Sequence, residues 1–446
     1  MNIGFIPIDN RPVCYTLPKM ISDINKSINL YLPPREYLGG LTKCADIEKI
    51  FEWVKDLPEL DAFVISLDTI AYGGLIPSRR STDTFEEIKG RILKFKEILL
   101  EKHSKIYAFS SIMRISNNNI NEEEKEYWSE WGKKIFEYSY QSHKNENDSS
   151  VKSEIPAEIL EDYLKTRERN FDINKLYLDW QKEGFFDTLV FSKDDCAEFG
   201  FNVEEADFLE SQGGFVKTGA DEIPLTLLAR TMTGEINIAP VFIEDDEKDL
   251  ISNYEDVSIE DSVKGQIELA GCRVSTEDEA DILLVVNNFK KHQGEIVMKV
   301  DTEPYKKVWK KPQKPYMIAD VRFANGADNF LVKQIFDNQI DENFYGYSAW
   351  NTSANSLGSL ICAAKVKFLA QEYNEEAFLK LQMTRFLDDW AYQANCRQKQ
   401  DYPNEKVLRS IIEPYKHRIQ KFLNRKYNTN YKYPWNRLFE VEIEFY

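Results

Sequence analysis

The residues best suited to chemistry lie in the stretch Thr188–Gly200. Two adjacent carboxylates, Asp194 and Asp195, follow the short apolar run Leu189–Phe191. This run is β-branched and aromatic, which is typical of a buried strand. Burial and a charged neighbour both disfavour ionisation of a carboxyl group, so one member of the pair can stay protonated and act as a general acid. The pair is the predicted catalytic centre, with capping of the following helix as the alternative.

A second acidic pair, Asp221 and Glu222, follows an apolar segment at Gly214–Val216. It precedes a predicted helix at Pro224–Arg230, and the helix dipole favours acidic residues at an N-terminus. This structural role competes with a role in the pocket. Glu222 is the rival candidate for the acid.

Polar side chains that suit the binding of hydroxyl groups recur after the other apolar runs. Carboxylates accept hydrogen bonds from vicinal hydroxyls, amides donate them, and aromatic rings stack on the faces of sugars. We expect a pocket for a small carbohydrate to be lined by Asp9, Asn10, Arg11, Asp68, Tyr72, Arg114, Asp221, Glu222, Asp320, Asn325, Trp350, Asn351 and Asn355.

Several of these residues also have a structural interpretation. Arg11 and Arg114 are equally suited to neutralising nearby carboxylates. Asn351 or Thr352 is a candidate N-cap, and Asn325 followed by Gly326 is typical of a turn. Both interpretations are compatible with the sequence.

The elements that would position these residues alternate between strands and helices, which indicates a parallel sheet. Eight strands form a consistent set, and they end in order at Asp9, Asp68, Arg114, Asp195, Glu222, Asn288, Asp320 and Asn351. Eight such units predict an α/β fold of the (β/α)8 TIM-like barrel type, with the active site at the carboxyl ends of the strands. The runs Leu30–Leu32 and Ile238–Phe242 stand outside the set. A doubly wound open sheet is the alternative, and its ligands also bind beyond the strand ends.

The same pattern predicts the domain organisation. Residues 1–358 are expected to form the barrel-like catalytic domain, with a small α/β insert at residues 237–290. Residues 359–446 are expected to form a helical C-terminal region packed on the barrel.

Composition limits the classes of partner. The 446 residues contain 57 Lys and Arg against 75 Asp and Glu, a net charge of −18, which disfavours nucleic acid and anionic membranes. No apolar run reaches the roughly 20 residues that a membrane span needs, and no signal peptide is evident. The six cysteines are scattered, as in a reducing compartment, so we expect a cytoplasmic protein. The oligomeric state cannot be predicted.

Motifs for cofactors are also missing from the sequence. No GxGxxG follows a strand, and neither a GxxxxGK[ST] nor a GxSxG motif is present. The four histidines are far apart in sequence, which disfavours a histidine-rich zinc site. We therefore expect no cofactor.

Motifs spread along the chain resemble a known bacterial family. They are PIDNRP, SLDTIAYGGLIPSR, SKDDCAEFG, TGADEIPLTLLAR, ADVRFANGAD and GYSAWNTSANSLG, from Pro7 to Gly358. Together they resemble the DUF4127 family. That family label implies membership and no activity.

A local resemblance points to an activity. The paired Asp at the end of a strand, with the later Asn351 and Asn355, is similar to the β-N-acetylglucosaminidases of glycoside hydrolase family 84. In that family the pair ends the fourth strand of a barrel, and Asp194 and Asp195 also end the fourth strand of the set above. The resemblance implies that Asp194 polarises the substrate's 2-acetamido group, which attacks the anomeric carbon. Asp195 would be the general acid and then the base.

The sequence thus predicts a glycoside hydrolase that removes a terminal sugar, with exo-β-N-acetylhexosaminidase activity as the specific expectation. One alternative is a metal-dependent hydrolase or isomerase of small polar substrates, in which oxygen ligands to Mg²⁺ or Mn²⁺ come from Asp9, Asp68, Asp194, Asp195 and Asp320. A non-catalytic sugar-binding protein is the other alternative.

Overall fold

The computed structural model describes residues 1–144, 149–194 and 196–446, and the side chains of residues 149 and 150 are outside the description. The predicted acid Asp195 therefore lies outside the described residues. The chain divides into two compact units. Unit 1 comprises Met1–Tyr15, Asn29–Pro224 and Tyr254–Asp256. Unit 2 comprises Thr16–Ile28, Leu225–Asn253 and Val257–Tyr446.

The α-helices are numbered in chain order. They are α1 (Thr16–Ser22), α2 (Ile47–Asp56), α3 (Leu67–Tyr72), α4 (Leu75–Arg80), α5 (Phe85–Lys102), α6 (Trp128–His143), α7 (Ser149–Glu154), α8 (Ala157–Lys182), α9 (Phe201–Ser211), α10 (Ile223–Thr231), α11 (Ile259–Leu269), α12 (Asn329–Ile335), α13 (Ser353–Phe368), α14 (Glu375–Arg385) and α15 (Glu405–Leu423). A π-helix, Phe386–Cys396, continues α14.

The strands are numbered in the same way. They are β1 (Asn2–Ile6), β2 (Asn29–Tyr31), β3 (Ala62–Ser66), β4 (Lys105–Ile112), β5 (Thr188–Lys193), β6 (Phe215–Thr218), β7 (Asn237–Phe242), β8 (Arg273–Val274), β9 (Ile282–Asn287), β10 (Gly294–Glu295), β11 (Tyr316–Asp320), β12 (Phe323–Ala324), β13 (Phe344–Ser348), β14 (Thr429–Lys432) and β15 (Glu442–Phe445).

Unit 1 is built on a parallel sheet of six described strands in the order β2-β1-β3-β4-β5-β6. Every residue of β3, AFVIS, is buried, as expected of a strand that helices cover on both faces. The apolar sides of α2, α5, α8 and α9 pack in the same core. Phe51 of α2 stacks on Phe95 of α5, with ring centroids 5.2 Å apart.

Unit 2 is built on a second parallel sheet, of five described strands in the order β13-β11-β9-β7-β8. Its central strands ILLVVN (β9) and YMIAD (β11) are buried throughout. An aromatic cluster joins this sheet to the C-terminal helices. Phe386 of the π-helix lies 4.4 Å from Tyr347 and 5.5 Å from Phe422, measured between ring centroids.

The prediction of an α/β fold with parallel strands and a helical C-terminal region is confirmed, but a closed barrel is not. The predicted strands divide between two sheets, and within the described residues neither sheet closes. The two runs set aside are strands of these sheets: β2 is an edge strand of the first, and β7 pairs with β8 and β9 in the second.

Two further features bear on the predicted organisation. The strands at residues 237–290 belong to the same sheet as β11 and β13, and the predicted boundary at residue 358 falls inside α13. No helix of the described chain is both long and apolar enough to cross a membrane.

Candidate functional site

Predicted site residues lie beyond the ends of five strands at the carboxyl edge of the unit 1 sheet. Parallel strands bring their carboxyl ends to a single edge, which is where ligands bind in open α/β sheets. Within about three residues beyond the ends of β1, β3, β4, β5 and β6 lie, in that order, Asp9, Asp68, Arg114, Asp194 and Asp221. The strand pattern of the sequence therefore accounts for the position of these five side chains, whose role in a site stays a prediction.

Arg11 links two of these carboxylates. Its guanidinium lies 2.8 Å from Asp9 and 2.5 Å from Asp221, and its backbone N–H also donates to Asp9 at 2.9 Å. The side chain is 6 % exposed. Arg11 thus neutralises the two carboxylates, which is the structural alternative considered for it. Nearby, the Asn10 carbonyl accepts a hydrogen bond from Arg35, and Glu222 is fully buried.

A second cluster surrounds Asp194. Arg114 donates to Glu123 at 3.0 Å, to Glu124 at 3.1 Å and to Asp194 at 3.5 Å. Arg79 of α4 lies 3.5 Å from Glu124 and 3.7 Å from Asp194. Among the described residues, two guanidinium groups and three carboxylates therefore form one cluster of alternating charge.

Burial divides this cluster into an inner and an outer part. The Arg79 side chain is 2 % exposed, and none of its guanidinium nitrogens has a hydrogen-bond acceptor among the described residues. Glu124 is also buried, whereas Arg114 is 14 % and Asp194 15 % exposed. Asp194 is therefore a carboxylate that a ligand can reach, with two fixed counter-ions behind it.

Sequence reasoning missed Arg79, Glu123 and Glu124. Arg79 comes from a short helix beyond the glycine turn Gly73–Gly74, well past the end of β3. Glu123 and Glu124 belong to an acidic run in the connection after β4, which is typical of a solvated surface. The one local signal was the pair Arg79-Arg80 after an apolar turn.

Asp68 is the buried carboxyl group of the same edge. Burial raises its pKa to about 7, and the smaller effects of a hydrogen bond from the Ser111 N–H, at 2.9 Å, and of Arg79 oppose the rise. A group with this pKa exists in both protonation states near neutral pH. Asp68 can therefore hold a proton close to the ion-pair cluster. The two are linked through Arg79, whose charge lowers the pKa of Asp68 and whose guanidinium lies 3.7 Å from Asp194.

The two predicted stacking rings are buried. Tyr72 is 4 % exposed and lies beneath the Arg169 guanidinium, 5.4 Å from its ring centroid. Trp350 is 1 % exposed and meets Phe439 edge to face at 5.6 Å. The structure gives neither ring an open face for a sugar.

Asp320 and the remaining predicted residues belong to unit 2. Asp320 ends β11 and accepts hydrogen bonds from Asn287 at 2.7 Å, from the Asp328 N–H at 2.8 Å and from Tyr347 at 2.9 Å. Burial, helped by the charge of Asp328, raises the pKa of Asp320 to about 7. Its carboxylate oxygens are taken by two side chains of neighbouring strands and by one backbone N–H, which is a structural arrangement.

The asparagines of unit 2 also make local contacts. Asn325 has a left-handed backbone, with φ of 61°, and donates to Glu295 at 2.7 Å. The Asn351 side chain accepts from the Thr352 N–H at 2.8 Å, and Asn355 donates to the Thr352 hydroxyl at 3.0 Å. The contact of Asn325 fits the turn interpretation, whereas Thr352, not Asn351, is the N-cap residue of α13, and it caps without a side-chain hydrogen bond.

The described carboxylates are interleaved with arginines. Among the residues that the structure describes, no group of three or more His, Cys, Asp or Glu side chains could hold a metal ion. Guanidinium groups lie between the carboxylates at the unit 1 edge, where a cation would otherwise balance their charge.

Comparison with known proteins supports the predicted membership. No curated protein matches the chain. The model of a family described as "Protein of unknown function (DUF4127)" matches residues 3–444, nearly the whole chain. The chain belongs to the DUF4127 family.

Proposed function

We propose that the protein is a glycoside hydrolase that removes a terminal sugar at the carboxyl edge of the unit 1 sheet. The observation that supports this is the setting of Asp194. It reaches solvent at the end of β5 with two guanidinium groups as counter-ions, beside a buried carboxyl group whose pKa is raised to about 7. Glycosidases use two carboxyl groups whose environments keep one charged and the other protonated.

The proposed roles follow the resemblance to glycoside hydrolase family 84. Asp194, as a carboxylate, accepts the N–H of a 2-acetamido group and orients its carbonyl oxygen towards the anomeric carbon. Asp195 protonates the leaving oxygen and then removes a proton from water. Asp68 is the second candidate for the acid, because its pKa leaves it partly protonated near neutral pH.

The substrate class is proposed at two levels. Partly exposed carboxylate and guanidinium groups at one edge suit a ligand with several hydroxyls, because carboxylates accept and guanidinium groups donate hydrogen bonds in pairs. The acetamido role of Asp194 narrows the proposal to a terminal N-acetylhexosamine. No described feature favours the metal-dependent alternative over this one.

A panel of nitrophenyl glycosides tests the proposal. Wild type should release nitrophenol from at least one N-acetylhexosaminide, and Asp194→Asn and Asp195→Asn should each lower kcat/KM by about 10²–10⁴-fold. Asp207→Asn is the matched control, since Asp207 is exposed on α9.

The outcomes separate the alternatives. No turnover on any glycoside contradicts the proposal. Turnover that survives both substitutions keeps the class but moves the acid to Asp68 or Glu222, which Asp68→Asn and Glu222→Gln then distinguish. Loss of turnover after EDTA treatment, restored by Mg²⁺ or Mn²⁺, supports the metal-dependent alternative instead.

A further inference from the structure

Helix α8 carries an apolar stripe that its own core does not cover completely. One face of the helix is buried, through residues such as Tyr163, Asn170 and Tyr177. On another face Leu160, Leu164 and Phe171 form an apolar row, which the acidic Glu168 interrupts, at intervals of four, four and three residues. This spacing places them in one row along the helix. Leu164 and Phe171 remain partly exposed.

A groove runs along this stripe. Its first part has a volume of about 810 Å³ and is lined by apolar residues that include Ile155, Leu160 and Leu164. The second part, of about 430 Å³, is lined by Leu164, Phe171, Phe201 and Phe208. Leu164 and Glu168 line both parts, so the groove is continuous.

The groove has the length of a short helix. Ala157 and Phe171 mark its extent on α8, which corresponds to about 21 Å at 1.5 Å per residue. Phe208 of α9 forms part of the other wall and is 43 % exposed, with its ring 5.4 Å from that of Phe171. A large exposed aromatic beside an apolar groove is typical of an anchor for a partner's side chains.

The rim of the groove is acidic. Among the residues that the structure describes, its charged lining comprises five carboxylates and three basic groups, an excess of two negative charges. Lys165 pairs with Glu161 at 2.6 Å, and Arg167 with Glu205 at 2.7 Å. Within the described part of the chain no ion pair engages Glu168 or Glu204, and both are exposed. Two carboxylates are therefore available to a basic partner.

We propose that this groove binds an amphipathic helical segment of a partner protein, with apolar residues along one face and Lys or Arg beside them. The apolar row would fill the groove, and the basic residues would meet Glu168 and Glu204, as in other helix-in-groove complexes. A second copy of this chain is a poor occupant, because its net charge is −18. The proposal is independent of the proposed glycosidase activity.

Binding of a designed peptide tests the apolar part. The probe is a fluorescein-labelled 14-residue peptide of Leu and Lys, with Leu at helical spacing i, i+3, i+4 and i+7, titrated with the full chain by fluorescence anisotropy. Phe208→Ala should weaken binding at least about tenfold. Leu100→Ala is the matched control, because Leu100 is 56 % exposed on α5. Equal binding by wild type and Phe208→Ala, or no binding by wild type, overturns the proposal.

Charge reversal tests the rim. In the double variant Glu168→Lys/Glu204→Lys, the affinity for the Leu/Lys peptide should fall by more than about tenfold. The same variant should bind a Leu/Glu peptide of the same pattern more tightly than wild type does. Glu97→Lys/Glu101→Lys, both exposed on α5, changes the net charge equally and should leave both affinities near those of wild type. If the affinity of this control for the Leu/Lys peptide falls as much as that of Glu168→Lys/Glu204→Lys, general attraction to the net charge of the protein explains the binding and the proposal fails. Circular dichroism confirms that each variant is folded.

Discussion

At the scale of single residues, the carboxyl edge of unit 1 contains a buried carboxyl group, Asp68, and a partly exposed one, Asp194. Asp68 is 1 % exposed, and burial raises its pKa to about 7. Because this pKa lies above that of an unfolded Asp, the native state binds the proton more tightly than the unfolded state. The stabilisation is complete below about pH 4 and is lost as pH rises through about 7.

Asp68→Asn should remove this pH dependence. The asparagine oxygen can still accept the Ser111 N–H, but it cannot ionise. Relative to wild type, the variant should gain up to about 4 kcal/mol in free energy of unfolding between about pH 4 and pH 8. Urea unfolding at both pH values measures the difference. If the difference in free energy of unfolding between variant and wild type is the same at about pH 4 and at about pH 8, Asp68 is ionised in the native state at both pH values.

Arg79 supports the accessible carboxylate from behind. Arg79→Met should destabilise the protein by about 3–5 kcal/mol, because Glu124 would keep a buried charge with one counter-ion fewer. The midpoint of urea unfolding measures this change. Arg80→Met serves as the comparison, since Arg80 is only partly buried and donates to backbone carbonyls of residues 121, 122 and 124. A smaller loss for Arg79→Met than for Arg80→Met would contradict the interpretation.

The edge residues that could be predicted from the sequence and those that could not differ in their distance along the chain from the end of a strand. Asp9, Asp68 and Asp194 lie within about three residues of the end of a strand, so strand patterns alone place them at one edge. Arg79 and Glu123 come from a short helix and a long connection. Their positions depend on tertiary packing, which leaves no periodic signal in the sequence.

At the scale of elements, the buried strands were predictable and their assignment to sheets was not. Runs such as AFVIS and ILLVVN are continuous and β-branched. β2 has three residues, and β7 contains Pro240, so both gave weak signals. The π-helix Phe386–Cys396 was expected only as helix, because the sequence pattern does not distinguish the two helix types.

Two glycines at helical positions should respond in opposite ways to alanine. Gly90 lies inside α5, and a methyl group there would meet no atom within 4 Å. Gly90→Ala should stabilise the protein by about 0.5–1 kcal/mol. Gly73 ends α3 with φ of 89°, and a Cβ there would lie 2.9 Å from that of Cys44. Gly73→Ala should therefore destabilise the protein by about 1–3 kcal/mol.

Thermal unfolding of both variants measures the contrast. Equal effects of the two substitutions would contradict this account of the backbone. The Gly90 variant also serves as a control for folding, because it changes neither a contact nor the carboxyl edge.

At the scale of the molecule, the eight predicted strands do not form one sheet but are divided between two sheets, five in the first and three in the second. The first five predicted strands belong to unit 1 and the last three to unit 2. Strand–helix alternation is common to barrels and open sheets, so it cannot distinguish one closed sheet from two open ones. Adding β2 to the predicted set completes the described strands of the first sheet, and adding β7 leaves only the two-residue β8 missing from the second.

Buried carboxyl groups in both units should make the whole protein more stable in mild acid than in mild alkali. Burial raises the pKa of Asp68 and of Asp320 to about 7, and that of Asp389 to about 6. Each of these groups loses its stabilising contribution as pH rises through its native pKa. The net charge of −18 at pH 7 acts in the same direction, because self-repulsion grows as protons leave.

The expected result is a Tm several degrees higher at about pH 5.5 than at about pH 8. Exposed carboxylates with lowered pKa, such as Asp46 and Glu87, lose their contributions below about pH 4, outside this window. Scanning calorimetry in buffers of matched ionic strength measures the slope of Tm against pH. The double variant Asp68→Asn/Asp320→Asn should flatten it, whereas Asp23→Asn, at an exposed ion pair, should not. A Tm that rises from about pH 5.5 to about pH 8 would mean that these carboxyl groups are ionised in the native state, and that their neighbours compensate burial more fully than the described contacts indicate.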